Sequence, residues 1–293
     1  MDIQSFDFDK LASSQEQVFG EKKTEAGDDR FYKLKRDENG NGAAIIRFLP
    51  DPNLKMMLQL WKINVNNQKG ADRRWVSELS PQNINQPDPF HKAWADLWQQ
   101  GKKEEARKFA RQTRFYTNIL VIKDPANPAN EGKVFLLDLS QSLKLMLENA
   151  MFPSDADRAL GAEAKALFNP LQGHNFKLVS SKAATGFITY EKSSVMDPVT
   201  SVFDSKEQAV AFIKENCYPL DDFLKPEIYK SYEELQQKLE YVMFRDGLAT
   251  PATTAASKPA GEVVDATSAT GLTEAQLLHK EQAKDLDSFL DTI

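Results

Sequence analysis

The chain has 293 residues, a net charge of −6 and a single cysteine, Cys217. One cysteine excludes an internal disulfide and any multi-cysteine zinc or iron–sulfur site, and no apolar run reaches the ~20 residues that a membrane-spanning helix needs. A hydrophobic fraction of 41% and a charged fraction of 27% are those of an ordinary globular protein, and the acidic, polar residues 1–10 read as neither a secretory signal nor a transit peptide.

Residues 1–20 read as a short polar arm with scattered apolar residues (Phe6, Phe8, Leu11, Val18, Phe19), set off by the hydrophilic run 21–30. The core opens at Asn39-Gly40-Asn41-Gly42, a turn signal, followed by a strand over 43–49 that stops at Pro50. A second strand is expected over 56–65, then a basic, polar turn over 66–73. From Phe90 the apolar residues Phe90, Trp94, Leu97, Trp98 and Phe109 fall at helical spacing, with Gly101 as a break. Residues 115–123 and 133–139 read as strands around a breaker-rich loop, which predicts a hairpin. Helices are expected over 141–151, 155–168, 205–216 and 231–244. Ser205 with Gln208 and Ser231 with Glu234 match the capping-box pattern. Residues 175–181 and 187–190 form another strand pair. Short strands interrupted by helices predict an α+β fold with a small barrel-like sheet, although element order alone does not define an OB-fold. After Phe244 the chain turns Ala/Thr/Ser/Pro-rich, the composition of a disordered linker, and ends in an acidic tip with spaced apolar residues.

Charge is unevenly spread. From Arg245 onward acids outnumber bases by eight to four, whereas 102–114 carries six Lys/Arg against two Glu. Lys103, Arg107 and Arg111 fall at i, i+4, i+8, so one helix would present them as a basic stripe. Taken alone, the stripe reads better as a merely solvated face, helped by a Glu104–Lys108 pair. The stripe continues into Arg114-Phe115-Tyr116, where adjacent aromatics on a strand point to opposite faces. Single-stranded nucleic acid asks for both kinds of group: cations for phosphates and flat rings for bases. Arg47, Lys69, Arg73, Arg74, Trp75, Phe187 and Tyr190 are further candidates, each of which core packing or solvation also accounts for. Cys217 reads as a buried thiol, with none of the three histidines in a recognisable catalytic arrangement around it. No phosphate-binding Gly-rich loop, nucleophile elbow or metalloprotease motif is present.

Residues 41–50 (Asn-Gly-Ala-Ala-Ile-Ile-Arg-Phe-Leu-Pro), 118–125 (Asn-Ile-Leu-Val-Ile-Lys-Asp-Pro) and 130–135 (Asn-Glu-Gly-Lys-Val-Phe) resemble the single-stranded DNA-binding protein family of T4-type bacteriophages, also called helix-destabilising proteins. Gly186-Phe187 with Tyr190, the helix opening at Ser231 and the tip 285–290 extend the resemblance in the same order. It implies a self-associating N-terminal arm (1–20), an OB-fold core with a small five-stranded barrel (21–244), and a linker with an acidic protein-recruiting tail (245–293). It implies DNA contacts at Arg111, Phe115, Tyr116, Phe187, Tyr190 and Arg47. Protein contacts are implied at Lys10, Ser13 and Ser14 in the arm and at Asp285, Asp287, Phe289, Leu290 and Asp291 in the tail. The partners so implied are single-stranded DNA, further copies of the chain in a cooperative filament, and phage replication and recombination proteins, in the cytoplasm of an infected bacterium. No cofactor and no enzymatic activity are implied.

Three departures accompany the resemblance. The family's zinc-ligand positions fall near Asn67, Ser80, Asp88 and His91, which predicts a zinc-free chain with a Phe90/Trp94/Trp98 hydrophobic staple instead. The family's basic-hydroxyl cluster in the arm is matched only by Lys10-Leu11-Ala12-Ser13-Ser14, beside Asp2, Asp7 and Asp9. Leu137 stands where the family has an aromatic. Two other classes stay open on the residues alone: a phage structural or scaffolding protein with a docking tail, and a small hydrolase using carboxylates.

Overall fold

The architecture hangs on one long strand. In this computed structural model, which describes residues 28–66 and 75–245, β4 (Gln112–Lys123) carries the β-branched and aromatic run that favours extended chain. β1 (Gly42–Leu49) lies antiparallel to the second half of β4, with Ile46 opposite Val121 and Leu49 opposite Asn118. β2 (Leu58–Asn66) lies along the first half, with Trp61 opposite Thr113. β5 (Val134–Leu139) pairs along the other edge of β4 from Phe115 to Leu120, giving the hairpin expected from the breaker-rich loop. β3 (Trp75–Leu79) extends the sheet beyond β2, and β6 (Gly173–Lys182) extends it beyond β1. β6 also pairs with β7 (Ile188–Thr189) and β8 (Ser194–Thr200). The order along the main path is β3-β2-β4-β1-β6-β7, antiparallel throughout. Irregularities at Ile45/Ile46 and His174/Phe176 supply the local bends that let such a sheet curl.

Both faces of β4 are covered, so its middle reads as one buried run instead of alternating. Phe115, Ile119 and Val121 join Ile46, Phe48 and Phe176 under α3 (Gln141–Met151), which contributes Leu143 and Leu147. On the opposite face Tyr116 packs with Leu60, Leu136, Leu220 and Phe223, and Leu120 packs with Leu49 against Ile213 of α5 (Lys206–Asn216). Cys217 closes that last cluster, and burial pushes its thiol up to about 12, the inert structural state. A third body of core lies where β2 and β3 meet α1 (Pro89–Gln99) and α6 (Tyr232–Arg245), with Ile63, Val65, Val76, Phe90, Leu97, Phe109, Leu235 and Leu239 inside.

Several expected boundaries move for identifiable reasons. Gly101 does break the helical region, at φ 76°. The second piece, α2 (Lys103–Arg107), lasts only five residues, because Phe109 turns inward to within 6.4 Å of Phe90. The expected helix over 155–168 ends at Ala159 as α4 (Asp155–Ala159), with Gly161 at φ 92° and Leu167 drawn into the core. β8 escapes a pattern reading because Asp197-Pro198 interrupts it, tolerable in a strand that among the described residues pairs with β6 alone. The capping box at Ser231 is reciprocal, with Glu234 N–H to Ser231 Oγ at 3.2 Å and Ser231 N–H to Glu234 Oε2 at 3.0 Å. At Ser205 only half forms, since the Gln208 side chain accepts from Asp204 N–H instead.

Candidate nucleic-acid interface

Arg111 is the last residue before β4, and its guanidinium lies over the Trp61 ring with the carbon 4.4 Å from the ring centroid. A hydrogen bond from its Nη1 to Gln82 Oε1 holds it there. Gln82 belongs to the 3₁₀ turn Pro81–Ile84, and the next residue, Asn83, ties that turn to β2. Asn83 Oδ1 accepts from Trp61 N–H at 2.8 Å, and Asn83 Nδ2 donates to the Trp61 carbonyl at 2.9 Å. The Arg111 cation thus donates to a neutral amide. Burial lowers its pKa while the charge of Asp88 opposes that shift, and a guanidinium stays charged either way.

The neighbouring helix continues this surface. The His91 and Trp94 rings stack at 5.2 Å and 13°, Trp94 and Trp98 stack at 5.8 Å and 28°, and Lys103 Nζ sits 5.3 Å from the Trp98 ring centre. At about 100° per residue, His91, Trp94 and Trp98 fall within about 60° of one another around α1, while Phe90 and Leu97 define the adjoining inward stripe. His91 has its pKa lowered first by burial and next by the charge of Arg111. That coupling places the ring run and the arginine in one electrostatic neighbourhood. Exposed rings beside cations can stack on bases while the cations meet phosphates.

The other expected cations behave differently. The basic stripe is not formed, because α2 ends at Arg107 and Arg111 leaves for the Trp61 face. Arg107 pairs with Glu104 at 2.5 Å on the surface. Arg114 reaches across to β5, where its Nε donates to Asp138 Oδ1 at 2.7 Å.

Three expected contacts are corrected by burial. Arg47 is fully enclosed, donating to Asn175 Oδ1 at 3.0 Å, the Asn169 carbonyl at 2.9 Å, and the carbonyl and hydroxyl of Thr200 at 3.1 and 2.5 Å. Gly173 is required beside it, since a Cβ there would come within 2.6 Å of the guanidinium. Arg47 therefore crosslinks the core and is not placed to meet a phosphate. Phe115 and Tyr116 do point to opposite faces, but each face is covered. Phe115 lies among the α3 contacts, with Lys144 Nζ 5.4 Å from its ring centre, and Tyr116 sits edge-on to Phe31 and Phe223 at 4.9 and 4.8 Å. Neither offers a free ring. Leu137 is buried on the Phe115 side.

At the β7 end of the sheet, Arg36 donates to the Tyr190 hydroxyl at 2.6 Å and lies 5.9 Å from its ring centre. Phe187 projects, 70% exposed, from the turn closed by Ala183 N–H to the Phe187 carbonyl at 2.8 Å, with Gly186 at φ 84°. Arg111, over Trp61 of β2, thus lies toward the β3 side of the sheet order, whereas Phe187 precedes β7 at the other side. Trp75 opens β3 by its backbone. Lys69, Arg73, Arg74 and every expected arm and tail contact lie outside the described residues.

The residues near the family's zinc-ligand positions do not make a zinc site. Ser80 and Asp88 are both buried and hydrogen-bonded to each other through Ser80 Oγ and Asp88 Oδ2. The other Asp88 oxygen caps α1, accepting from Phe90 N–H at 2.8 Å and His91 N–H at 3.3 Å. The fourth position, Asn67, lies outside the described residues, and among those described no three His, Cys, Asp or Glu side chains converge. The expected Phe90/Trp94/Trp98 staple is also divided: Phe90 is fully buried, whereas Trp98 is 42% exposed on the stack.

A mixed α/β chain with a curled antiparallel sheet and a surface on which aromatic rings lie beside cations is the class of a nucleic-acid-binding module. Residues 40–243 match the family described as "gp32 DNA binding protein like", and the chain belongs to that family. It is 31% identical to the single-stranded DNA-binding protein of Enterobacteria phage T4 over 262 residues, covering 87% of this chain and 84% of the phage protein. The namesake of Enterobacteria phage T2 matches at 31% over 263 residues with the same coverage.

Proposed function

We propose that this chain is a non-enzymatic phage protein that binds single-stranded DNA with little sequence preference during replication, recombination and repair. The observation that carries the reading is Arg111 lying over Trp61 beside the His91/Trp94/Trp98 stack, in a chain of the gp32-like family. Rings of this kind stack on any base, and cations displace counterions from any phosphate, so neither reads sequence. Lys103, Arg107, Arg114, Phe187 and Tyr190 complete the proposed contacts, with Lys69, Arg73, Arg74 and Trp75 from the basic sequence that follows β2. Arg47, Phe115 and Tyr116 support the sheet from inside.

The proposed organisation is an OB-type core over residues 21–244, an arm (1–20) that contacts the neighbouring copy on DNA, and a tail (245–293) that recruits replication proteins. The setting is the cytoplasm of the infected bacterium. The curled antiparallel sheet and the family match support the core assignment. The acidic balance of the tail supports its role as a protein-facing element that also competes with DNA for the cations.

Titrating the full chain with oligo(dT) while following tryptophan fluorescence tests the reading. Strong quenching with an affinity that falls steeply with salt is expected, and no quenching at low salt would refute it. Removing residues 250–293 should tighten binding, most at low ionic strength. Removing residues 1–20 should weaken cooperativity while leaving single-site affinity unchanged.

A further inference from the structure

The aromatic surface of α1 depends on how the helix begins, and that beginning rests on one buried carboxylate. Asp88 divides its two oxygens between tasks. Oδ2 takes the Ser80 hydroxyl, which fixes the end of the β3 segment. Oδ1 takes Phe90 N–H and His91 N–H, two of the donors that a helix start leaves without partners. Ser80 faces the other way as well: its Oγ accepts from Gln82 N–H at 3.4 Å, and its own N–H donates to the Trp61 carbonyl at 2.9 Å. Gln82 in turn holds Arg111 over Trp61. Two small side chains thus join both halves of the surface, the Trp61–Arg111 pair on the sheet and the His91/Trp94/Trp98 stack on the helix.

We propose that Asp88, with Ser80, is the positioning clamp of the DNA surface, setting the angle of α1 against β2 by hydrogen bonds and without a metal ion. The oxygens that could serve a metal are committed, and the ring of His91 lies flat on Trp94. Neither Ser80 nor Asp88 is accessible enough to touch DNA, both being less than 5% exposed. Any effect of replacing them on binding therefore passes through the rings. The proposal rests on the DNA-binding reading but makes a claim about the free protein too, so the two can fail separately.

Two readouts test it: the near-ultraviolet circular dichroism of the free protein, where closely stacked indoles couple, and quenching by oligo(dT). Asp88→Ala should weaken the indole coupling and lower affinity by at least about fivefold, equivalent to one lost base stack, with far-ultraviolet dichroism retained. Ser80→Ala removes a single hydroxyl and serves should Asp88→Ala fail to fold; it should shift both readouts in the same direction, with Ser80→Thr restoring them. Prolonged treatment of the wild-type chain with a strong chelator should change neither. Unaltered dichroism and affinity in both clamp variants would overturn the proposal, as would loss of either signal on chelation or stoichiometric zinc in the purified protein. A wild-type chain that does not bind oligo(dT), yet shows the dichroism change in the variants, would refute the DNA reading and leave the clamp standing.

Discussion

The two ends of the sheet offer aromatic rings in different ways. At the β3 end the rings are preorganised: Trp61 is tied through its backbone to Asn83, Arg111 is pinned on it by Gln82, and three further rings stack along α1. At the β7 end one ring, Tyr190, is held by Arg36, while Phe187 stands exposed on a hairpin turn. A surface whose side chains are already fixed loses less conformational entropy when a ligand settles on it. The β3 end should therefore carry most of the affinity, and the β7 end should add an adjustable contact.

The buried ground between the two ends gives the largest expected effect. Arg47→Ala would leave a cavity and strand neutral acceptors around a fully enclosed side chain and should cost about 2–5 kcal/mol of stability, read from a denaturant titration. Affinity per folded molecule should stay unchanged. A stable variant that loses DNA binding would mean that Arg47 does meet phosphate. Next in size, Arg111→Ala removes a cation and uncovers Trp61. Affinity for oligo(dT) should fall by about tenfold or more, with the salt slope smaller by about one. Arg111→Lys should keep the slope but not the full affinity, since an ammonium cannot lie flat on the indole. Trp98→Ala should cost about 1–3 kcal/mol of binding, the worth of one stacked base. Phe187→Ala should cost less than Trp98→Ala and change stability by under about 0.5 kcal/mol, given its exposure. Equal losses for Trp98 and Phe187 would break the contrast between the two ends.

How far the sequence carried depended on the kind of signal. Strands with apolar runs or sharp turn residues were legible, as β1, β2, β4 and β5 are, because turn chemistry and β-propensity are local. β3 and β8 were not, since a five-residue strand and a proline-bearing one gain their structure from a neighbour's backbone. The site divided along the same line. Arg111 and Phe187 stand out in the sequence, but burial of Phe115 and Tyr116 follows from layers contributed by α3 and by Leu220–Leu224, and that of Arg47 from Asn169, Asn175 and Thr200, all distant in the chain. The surface of α1 was readable in principle. The spacing of His91, Trp94 and Trp98 separates them from Phe90 and Leu97 around the helix, a distinction lost when all apolar positions are grouped as one stripe.

The smallest expected effect is also the most diagnostic, because it has opposite signs for folding and for binding. Burial and the charge of Arg111 hold His91 below the ordinary histidine value of about 6.5, and Asp88 opposes them only weakly. The unfolded chain therefore takes up a proton near pH 6.5 that the folded chain refuses. The His91 contribution to stability is complete above that pH and is lost as the pH falls through 6.5 toward the lowered folded value. Phosphates beside Arg111 would favour the protonated ring, so on the DNA-binding reading acidification over the same window should tighten binding while it loosens the fold. His91→Gln should flatten both profiles, measured as unfolding midpoint and as oligo(dT) affinity from pH 8 to pH 5.5. Phe187→Ala should leave both slopes intact, since its turn lies at the other end of the sheet. If the Phe187 variant flattened the binding profile, the two ends would have to act on the same stretch of strand, and the division between a rigid and an adjustable end would no longer hold.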